Sequence, residues 1–280
     1  MKFAALDIGG TSVKYGIFHG VPCFGTFPVG EDGGSWGLPE KILTFLSTYD
    51  VDCVGFAVPG PFDYETGTSH MTHKLASLYQ ISLKNILKQR FPHIQTFFIH
   101  DAVAFIFGTI ADNPSLSSGD VSGIMLGTGL GYIHCINGRA VVNQNRTPLR
   151  PLWNKPYKDG IAEDYVSAAA IMTRAEAQGY HFQNVKEIAS AAQGGDARLL
   201  RLFEQTGVHL GTLVEAKQKE DGFSTLVIGG QVSGAWELMR EGFESVCTVP
   251  YQLIREPAKC PLFGIRYCAE KGAESIYYGK

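Results

Sequence analysis

Two Gly/Thr turns, each reached from an apolar run, hold the residues of this sequence best suited to chemistry. The first is Leu6-Asp7-Ile8-Gly9-Gly10-Thr11-Ser12, entered by Phe3–Leu6 and left by Val13, Tyr15 and Ile17 alternating with Lys14, Gly16 and Phe18. Two strand-like runs joined by Gly-Gly predict a β-hairpin. Its turn sets the Asp7 carboxylate at a strand end, beside glycines whose N–H groups can converge on one concavity and beside the Thr11 hydroxyl. Such a nest binds phosphate oxygens, and the carboxylate can hold the Mg²⁺ that travels with them. An ordinary tight hairpin fits this stretch equally well. A second copy breaks the tie.

That copy is Ile124-Met125-Leu126-Gly127-Thr128-Gly129-Leu130-Gly131, followed by Tyr132-Ile133-His134-Cys135-Ile136. The three alternating glycines have a Rossmann-like spacing, but that fingerprint must open a helix, and Tyr132–Ile136 reads as a strand. No Gly-Lys-Ser/Thr follows a Gly-rich turn, so there is no Walker A loop. Two phosphate-type hairpins, one opening each half, predict two related domains facing each other across a nucleotide.

Asp101 is the candidate base. It follows the buried strand Thr96–Ile99 and precedes the apolar helix Ala102–Ile110. Ligands of open α/β sheets bind beyond the carboxyl ends of strands, where a carboxylate can take the proton of a hydroxyl attacking a γ-phosphate. Asp is also a favoured helix cap, and the two roles can coexist. Gly229-Gly230, after the apolar Thr225–Ile228, suits close approach of a flat ligand or simply a strand-to-helix turn. Gly60, within Pro59-Gly60-Pro61, lies in a rigid loop at the end of the strand Cys53–Val58. Glu163 is either a sugar-hydroxyl acceptor or an acid favourable in a helix's first turn. His70, His73, His93 and His100 have no metal-ligand spacing on one element and read as loop residues.

The elements that must position these groups alternate between strand and helix, which argues for an α/β fold. Helices are predicted over 38–49, 81–90, 102–110, 160–178, 186–192, 197–220, 233–245 and 262–278, with strands at 225–228 and 246–255. The stretches 62–79 and 143–158 read as irregular. Asp112–Gly119 is the best linker and divides the chain into residues 1–117 and 118–280, with the closing helix a candidate to pack back on the first half.

The 280 residues are 45% hydrophobic and carry a net charge of -3, enough for two cores and without a basic footprint for nucleic acid or an anionic membrane. No apolar run approaches a membrane span or a signal-peptide core. The six scattered cysteines lack a Cys-x-x-Cys spacing and read as reduced thiols of a cytoplasmic protein rather than disulfides or a zinc site.

Taken in order, Asp7-Ile8-Gly9-Gly10-Thr11, Gly55–Pro61, Asp101-Ala102, Leu126–Gly131, Glu163–Ser167 and Ile228–Ser233 resemble the ROK family of bacterial sugar kinases and sugar-responsive repressors. The resemblance implies two actin-like ATPase (ribonuclease H-like) α/β domains flanking a nucleotide and sugar cleft. It implies ATP and Mg²⁺ as cofactors, a small-molecule sugar as partner, and Asp7 orienting the metal. Gly9, Gly10, Thr11, Gly127, Thr128 and Gly129 would hold phosphates, Gly229 and Gly230 would flank adenosine, and Asp101 would activate the sugar hydroxyl. Gly60, His73, Lys74, His100 and Glu163 would surround the sugar. Phe3 already begins the first strand, which leaves no room ahead of it for the helix-turn-helix of the repressors.

The departures fall on the sugar side. His100 stands where the family has Asn, and His73-Lys74-Leu75 replaces an Asn-Leu. The Glu-x-Gly-His and zinc-binding Cys motifs are absent, with Asn143–Trp153 in their place, so no zinc is expected. The expected activity is ATP-dependent phosphorylation of a hexose or modified hexose. The rivals are a sugar- or nucleotide-sensing protein with reduced catalysis and a phosphotransferase with a non-sugar acceptor. The sugar, the hydroxyl attacked and the oligomeric state, a homodimer among the options, stay open.

Overall fold

The computed structural model of the chain describes residues 2–30, 37–72, 75–272 and 275–278. It divides into two units: one of residues 1–115, 142–149 and 258–280, the other of residues 116–141 and 150–257.

The first unit begins with β1 (Phe3–Ile8), β2 (Ser12–Phe18), β3 (Cys23–Pro28) and helix α1 (Gly37–Ser47). β4 (Cys53–Val58), a small ribbon of β5 (Phe62–Asp63) and β6 (Thr68–Ser69), α2 (Leu83–Arg90), β7 (Gln95–His100) and α3 (Asp101–Asp112) follow. The sheet order is β3-β2-β1-β4-β7. β1 pairs antiparallel with β2 and parallel with β4, which pairs parallel with β7. Every residue of β1 and β4 is buried, as expected of central strands covered on both faces. Residues Ala102 to Ile110 of α3 are likewise all buried. They pack on α9 (Cys260–Lys271), where Phe107 stacks on Tyr267 at 5.5 Å and the Cys260 thiol donates to the Phe105 carbonyl.

The second unit holds β8 (Asp120–Leu126), β9 (Leu130–Ile136), β10 (Arg139–Ala140), β11 (Pro156–Tyr157), β12 (Gly160–Ile161), β13 (Thr225–Gly229) and β14 (Tyr251–Leu253). Its helices are α4 (Glu163–Val166), α5 (Ala168–Glu176), α6 (Val185–Gln193), α7 (Ala197–Asp221) and α8 (Trp236–Glu244). The sheet order, β10-β9-β8-β13-β14, repeats that of the first unit: an antiparallel ribbon, then three parallel strands. Ile124, Leu126, Leu226 and Ile228 from its centre pack with Leu210 and Val214 of α7 and with Trp236 and Phe243 of α8. The Asp196 carboxylate caps α7 by accepting from the Arg198 and Leu199 N–H groups, and Gly222 ends it at φ 75°.

Four predicted elements differ. The helix expected over 160–178 breaks into α4 and α5, because Ser167 turns extended and its hydroxyl caps α5 by accepting from Ala170 N–H. The strand expected over 246–255 is only Tyr251–Leu253: the Glu215 carboxylate takes the Thr248 N–H at 2.7 Å, and Pro250 has none. The closing helix stops at Lys271, with Gly272 at φ 82°. The helix expected over 233–245 is a 3₁₀ turn, Gln231–Ala235, followed by α8.

Candidate active site

In the first unit, β1, β4 and β7 run parallel and finish together. Leu6 lies opposite Phe56, and Val58 lies opposite His100. Their carboxyl ends therefore present, side by side, the Asp7–Thr11 turn, the Pro59-Gly60-Pro61 loop and Asp101. A sheet of this topology gathers its ligands at that edge.

The first turn is tight. Gly9 N–H donates to the Ser12 carbonyl at 3.0 Å, and Asp7 lies opposite Lys14 in the hairpin register. Among the described residues, the Gly10 and Thr11 N–H groups donate to no protein acceptor. A side chain built on Gly10 would meet nothing within 4 Å, so the concavity is open. Two uncommitted N–H groups, the exposed Thr11 and a carboxylate at the strand end are the donor set that phosphate oxygens and a hard cation require.

Asp7 is 8% exposed, with Oδ2 3.1 Å from Lys14 Nζ. Burial pushes its carboxyl above the usual range, Lys14 pulls it down, and repulsion from Asp101 adds a smaller upward push. Asp101 is the first residue of α3 and its Oδ1 accepts from Ala102 N–H at 2.7 Å, but the cap position expected for it falls to His100, whose extended backbone precedes the helix. His100 Nδ1 lies 2.8 Å from the same oxygen and 3.1 Å from Ala102 N. On its other side, His100 Nε2 is 3.8 Å from where a side chain on Gly60 would start, and the Tyr64 ring centroid is 6.0 Å from the imidazole. Gly60, His100 and Asp101 thus form one neighbourhood. His73 and Lys74 lie outside the described residues.

In the second unit, β8, β13 and β14 are the parallel strands, and β8 ends at the Gly127-Thr128-Gly129 turn. Gly127 N–H bonds to the Gly129 carbonyl, while the Thr128 and Gly129 N–H groups meet no acceptor among the described residues. Glu163 is joined to this turn: its Oε2 accepts from Leu130 N–H at 2.7 Å. It lies in the first turn of α4, so a first-turn acid and a brace for the hairpin are one residue. A Cβ on Gly129 would run into that carboxylate, which explains glycine there. Gly230, at φ 90°, abuts the Leu126 backbone so closely that a Cβ would collide with it. Gly229-Gly230 is therefore required as a strand-end turn, and it brings the end of β13 against the end of β8.

Sequence reasoning missed Lys14, Tyr64 and Thr147. The Lys14 signal was present, since its place in the predicted hairpin puts it opposite Asp7. Tyr64 sits in a stretch without periodicity. Thr147, whose methyl lies 3.8 Å from the same point on Gly60, sits in the segment that departs from the family. Among the described residues, no group of three or more His, Cys, Asp or Glu side chains is placed to hold a metal ion by itself.

No protein-family model matches the chain. No curated protein matches it either. Solved structures do. A ROK hexokinase from Thermus thermophilus superposes with a TM-score of 0.78 at 20% identity, covering 98% of this chain and 100% of its own. A ROK family glucokinase from Streptomyces griseus, solved with glucose and AMPPNP, gives 0.79 at 20% identity over 97% and 100%. The fold is the ROK fold. A ROK family transcriptional regulator homologous to the E. coli Mlc protein gives 0.77 at 17% identity, covering 96% of this chain and 78% of that one. The fold, two α/β units with the same sheet order, is therefore found in kinases and in a regulator alike.

Proposed function

We propose that the chain is an ATP-dependent kinase that transfers the γ-phosphate of ATP to a hydroxyl of a hexose or modified hexose. The observation that carries this reading is the joint presence of Asp7 with its open Gly-Gly-Thr turn and Asp101, at the carboxyl ends of β1 and β7 on either side of β4. A protein that only sensed a sugar would have no use for a proton acceptor beside a phosphate nest. The likeness to structures of sugar kinases supports it.

The Gly9-Gly10-Thr11 turn would engage phosphate oxygens, and Asp7 would hold Mg²⁺ through water. The Gly127-Thr128-Gly129 turn would engage phosphate oxygens through its uncommitted Thr128 and Gly129 N–H groups, and Gly229-Gly230 would lie against adenosine. The chemistry that Mg²⁺ would supply when held there is neutralisation of charge on the transferred phosphoryl group. Asp101 accepts the proton of the attacking hydroxyl, with Oδ1 fixed by Ala102 N–H so that the carboxylate stays aimed. Gly60 and His100 line the acceptor's side. His73 and Lys74 are assigned to the same side from the sequence alone. Glu163 holds the second phosphate turn, and its assignment to the sugar's side rests on the sequence.

We place the protein in the cytoplasm. Its described cysteines are all free, five of the six are buried, and no described helix is long and apolar enough to cross a membrane. The test is ADP release from Mg·ATP across a panel of neutral, amino and acidic hexoses. Sugar-dependent release supports the kinase. Sugar binding without release supports a sensor, and release that no sugar stimulates supports a different acceptor.

A further inference from the structure

The first unit holds a cavity of about 290 Å³ that neither Asp7 nor Asp101 lines. Its walls run along β7 and the segment after α9, and include Tyr64, Phe97, Ile99, Ile276 and Tyr277. Arg146 reaches it from the loop that departs from the family, and exposed Lys84 and Glu65 stand beside it. That volume is at the lower end of small-molecule pockets, which start at about 300 Å³.

Arg146 is built into this position. Asn143 knits the loop: its Oδ1 accepts from the Asn145 and Thr147 N–H groups, its Nδ2 donates to Thr147 Oγ1, and its carbonyl accepts from Arg146 N–H. A bridge between Val142 and Pro148 closes the base. Arg146 itself sits at φ 59°, a conformation that tight loop must enforce on a non-glycine residue. Its guanidinium lies over the ring of Tyr277, 5.8 Å from the centroid, and the ring is 1% exposed. Among the described residues no carboxylate or carbonyl accepts from that guanidinium. A half-buried guanidinium carries five donors, and here they are unspent. The Lys84 ammonium donates to the backbone carbonyl of Glu65, so its charge is also not matched by a carboxylate.

We propose that this cavity is a second ligand site, for a small molecule whose phosphate or carboxylate is gripped by Arg146 and whose carbon body lies against the aromatic and aliphatic walls. A planar guanidinium backed by an aromatic face is suited to bidentate binding of such oxyanions. The site has a route to the acceptor neighbourhood. Tyr64 lines the cavity, its hydroxyl donates to the carbonyl of Val58 at 2.9 Å, immediately before Pro59-Gly60-Pro61, and its ring faces His100. Thr147, the residue after Arg146, lies against Gly60. Occupancy therefore bears on the loops where the acceptor is proposed to sit.

The experiment is titration calorimetry of the full chain with 3-phosphoglycerate, glycerol 3-phosphate and glycerate, none of which contains a sugar ring or a nucleotide. The three separate a phosphate from a carboxylate as the recognised group. Binding of at least one is expected, weakened about tenfold or more in Arg146→Met, as loss of a charged hydrogen-bonding partner implies. Arg146→Lys should fall between the two. Gly10→Val, which alters only the open phosphate turn, should bind as wild type does, and its melting temperature together with that of Arg146→Met shows that both fold. Absence of binding by all three probes, binding that survives Arg146→Met, or binding lost in Gly10→Val would overturn the proposal.

Discussion

Asp7 and Lys14 face each other across the first hairpin, Oδ2 to Nζ 3.1 Å, at positions the strand register makes direct partners. The pair offsets part of the upward push that burial gives the Asp7 carboxyl. It also means that the phosphate turn carries a cation of its own before any metal arrives. Lys14→Met should therefore destabilise the fold by roughly 1–3 kcal/mol, the cost of leaving a buried polar group without its partner. Asp7→Asn/Lys14→Met should recover most of that loss. Thermal melts of the four proteins in this double-mutant cycle check it, and single-variant losses that simply add up to the loss in the double variant would mean that the pair contributes nothing.

The two phosphate turns should respond differently to the same substitution. Gly10→Val adds its side chain to open space, so the melting temperature should hold while affinity for Mg·AMPPNP drops. Gly129→Val must displace the Glu163 carboxylate, so both should fall. Calorimetry and melting curves on each variant check this, and an undiminished affinity in Gly10→Val would remove the first turn from the nucleotide site.

Glu163 offers a cleaner probe of the second turn. Glu163→Gln keeps an oxygen that can accept from Leu130 N–H, whereas Glu163→Ala leaves that donor bare. The alanine variant should lose roughly 1.5–3 kcal/mol, the range for a charged acceptor, and the glutamine variant distinctly less. Chemical denaturation measures both. Equal stability of the two would show that the bond carries no weight.

Acid should weaken the second unit through His209. Burial, then Lys158 and Arg174, lower its pKa from 6.5 to about 4, and its Nδ1 lies 3.0 Å from the Tyr157 hydroxyl. Tyr165 also packs on the ring. The unfolded chain takes up this proton near pH 6.5 and the folded one only near pH 4, so the contribution is complete above 6.5 and is lost as pH falls through that window. His209→Gln should flatten the fall of melting temperature between pH 6.5 and 4. An unchanged slope would assign the acid sensitivity elsewhere.

What the sequence made legible follows from the range of the interactions involved. The hairpins, the buried strands Cys53–Val58 and Thr96–Ile99 and the helix after Asp101 are local patterns of apolar period and turn chemistry, and the structure has them at those places. Asp101 was legible as a strand-end carboxylate for the same reason, whereas the cap fell one residue earlier, on His100, because its imidazole also reaches Ala102 N–H. The break at Ser167 was not, because one hydroxyl competing for a backbone N–H interrupts a pattern that otherwise stays helical. The bracing of the second turn by Glu163 spans 33 residues and leaves no periodic trace. Nor does the Asn143 loop, whose purpose is visible only once Arg146 is seen over Tyr277.

The central claim, that Asp101 removes a proton from a sugar hydroxyl during phosphoryl transfer, is tested most directly by steady-state turnover of Asp101→Asn on the best acceptor of the sugar panel. Asn keeps an oxygen for Ala102 N–H, so the melting temperature and Mg·AMPPNP affinity should stay close to wild type. Turnover should fall by about 10²–10⁴-fold, the usual contribution of a general base. Wild-type turnover in a folded, nucleotide-binding Asp101→Asn would contradict the account and leave this residue as a structural acceptor at the start of α3.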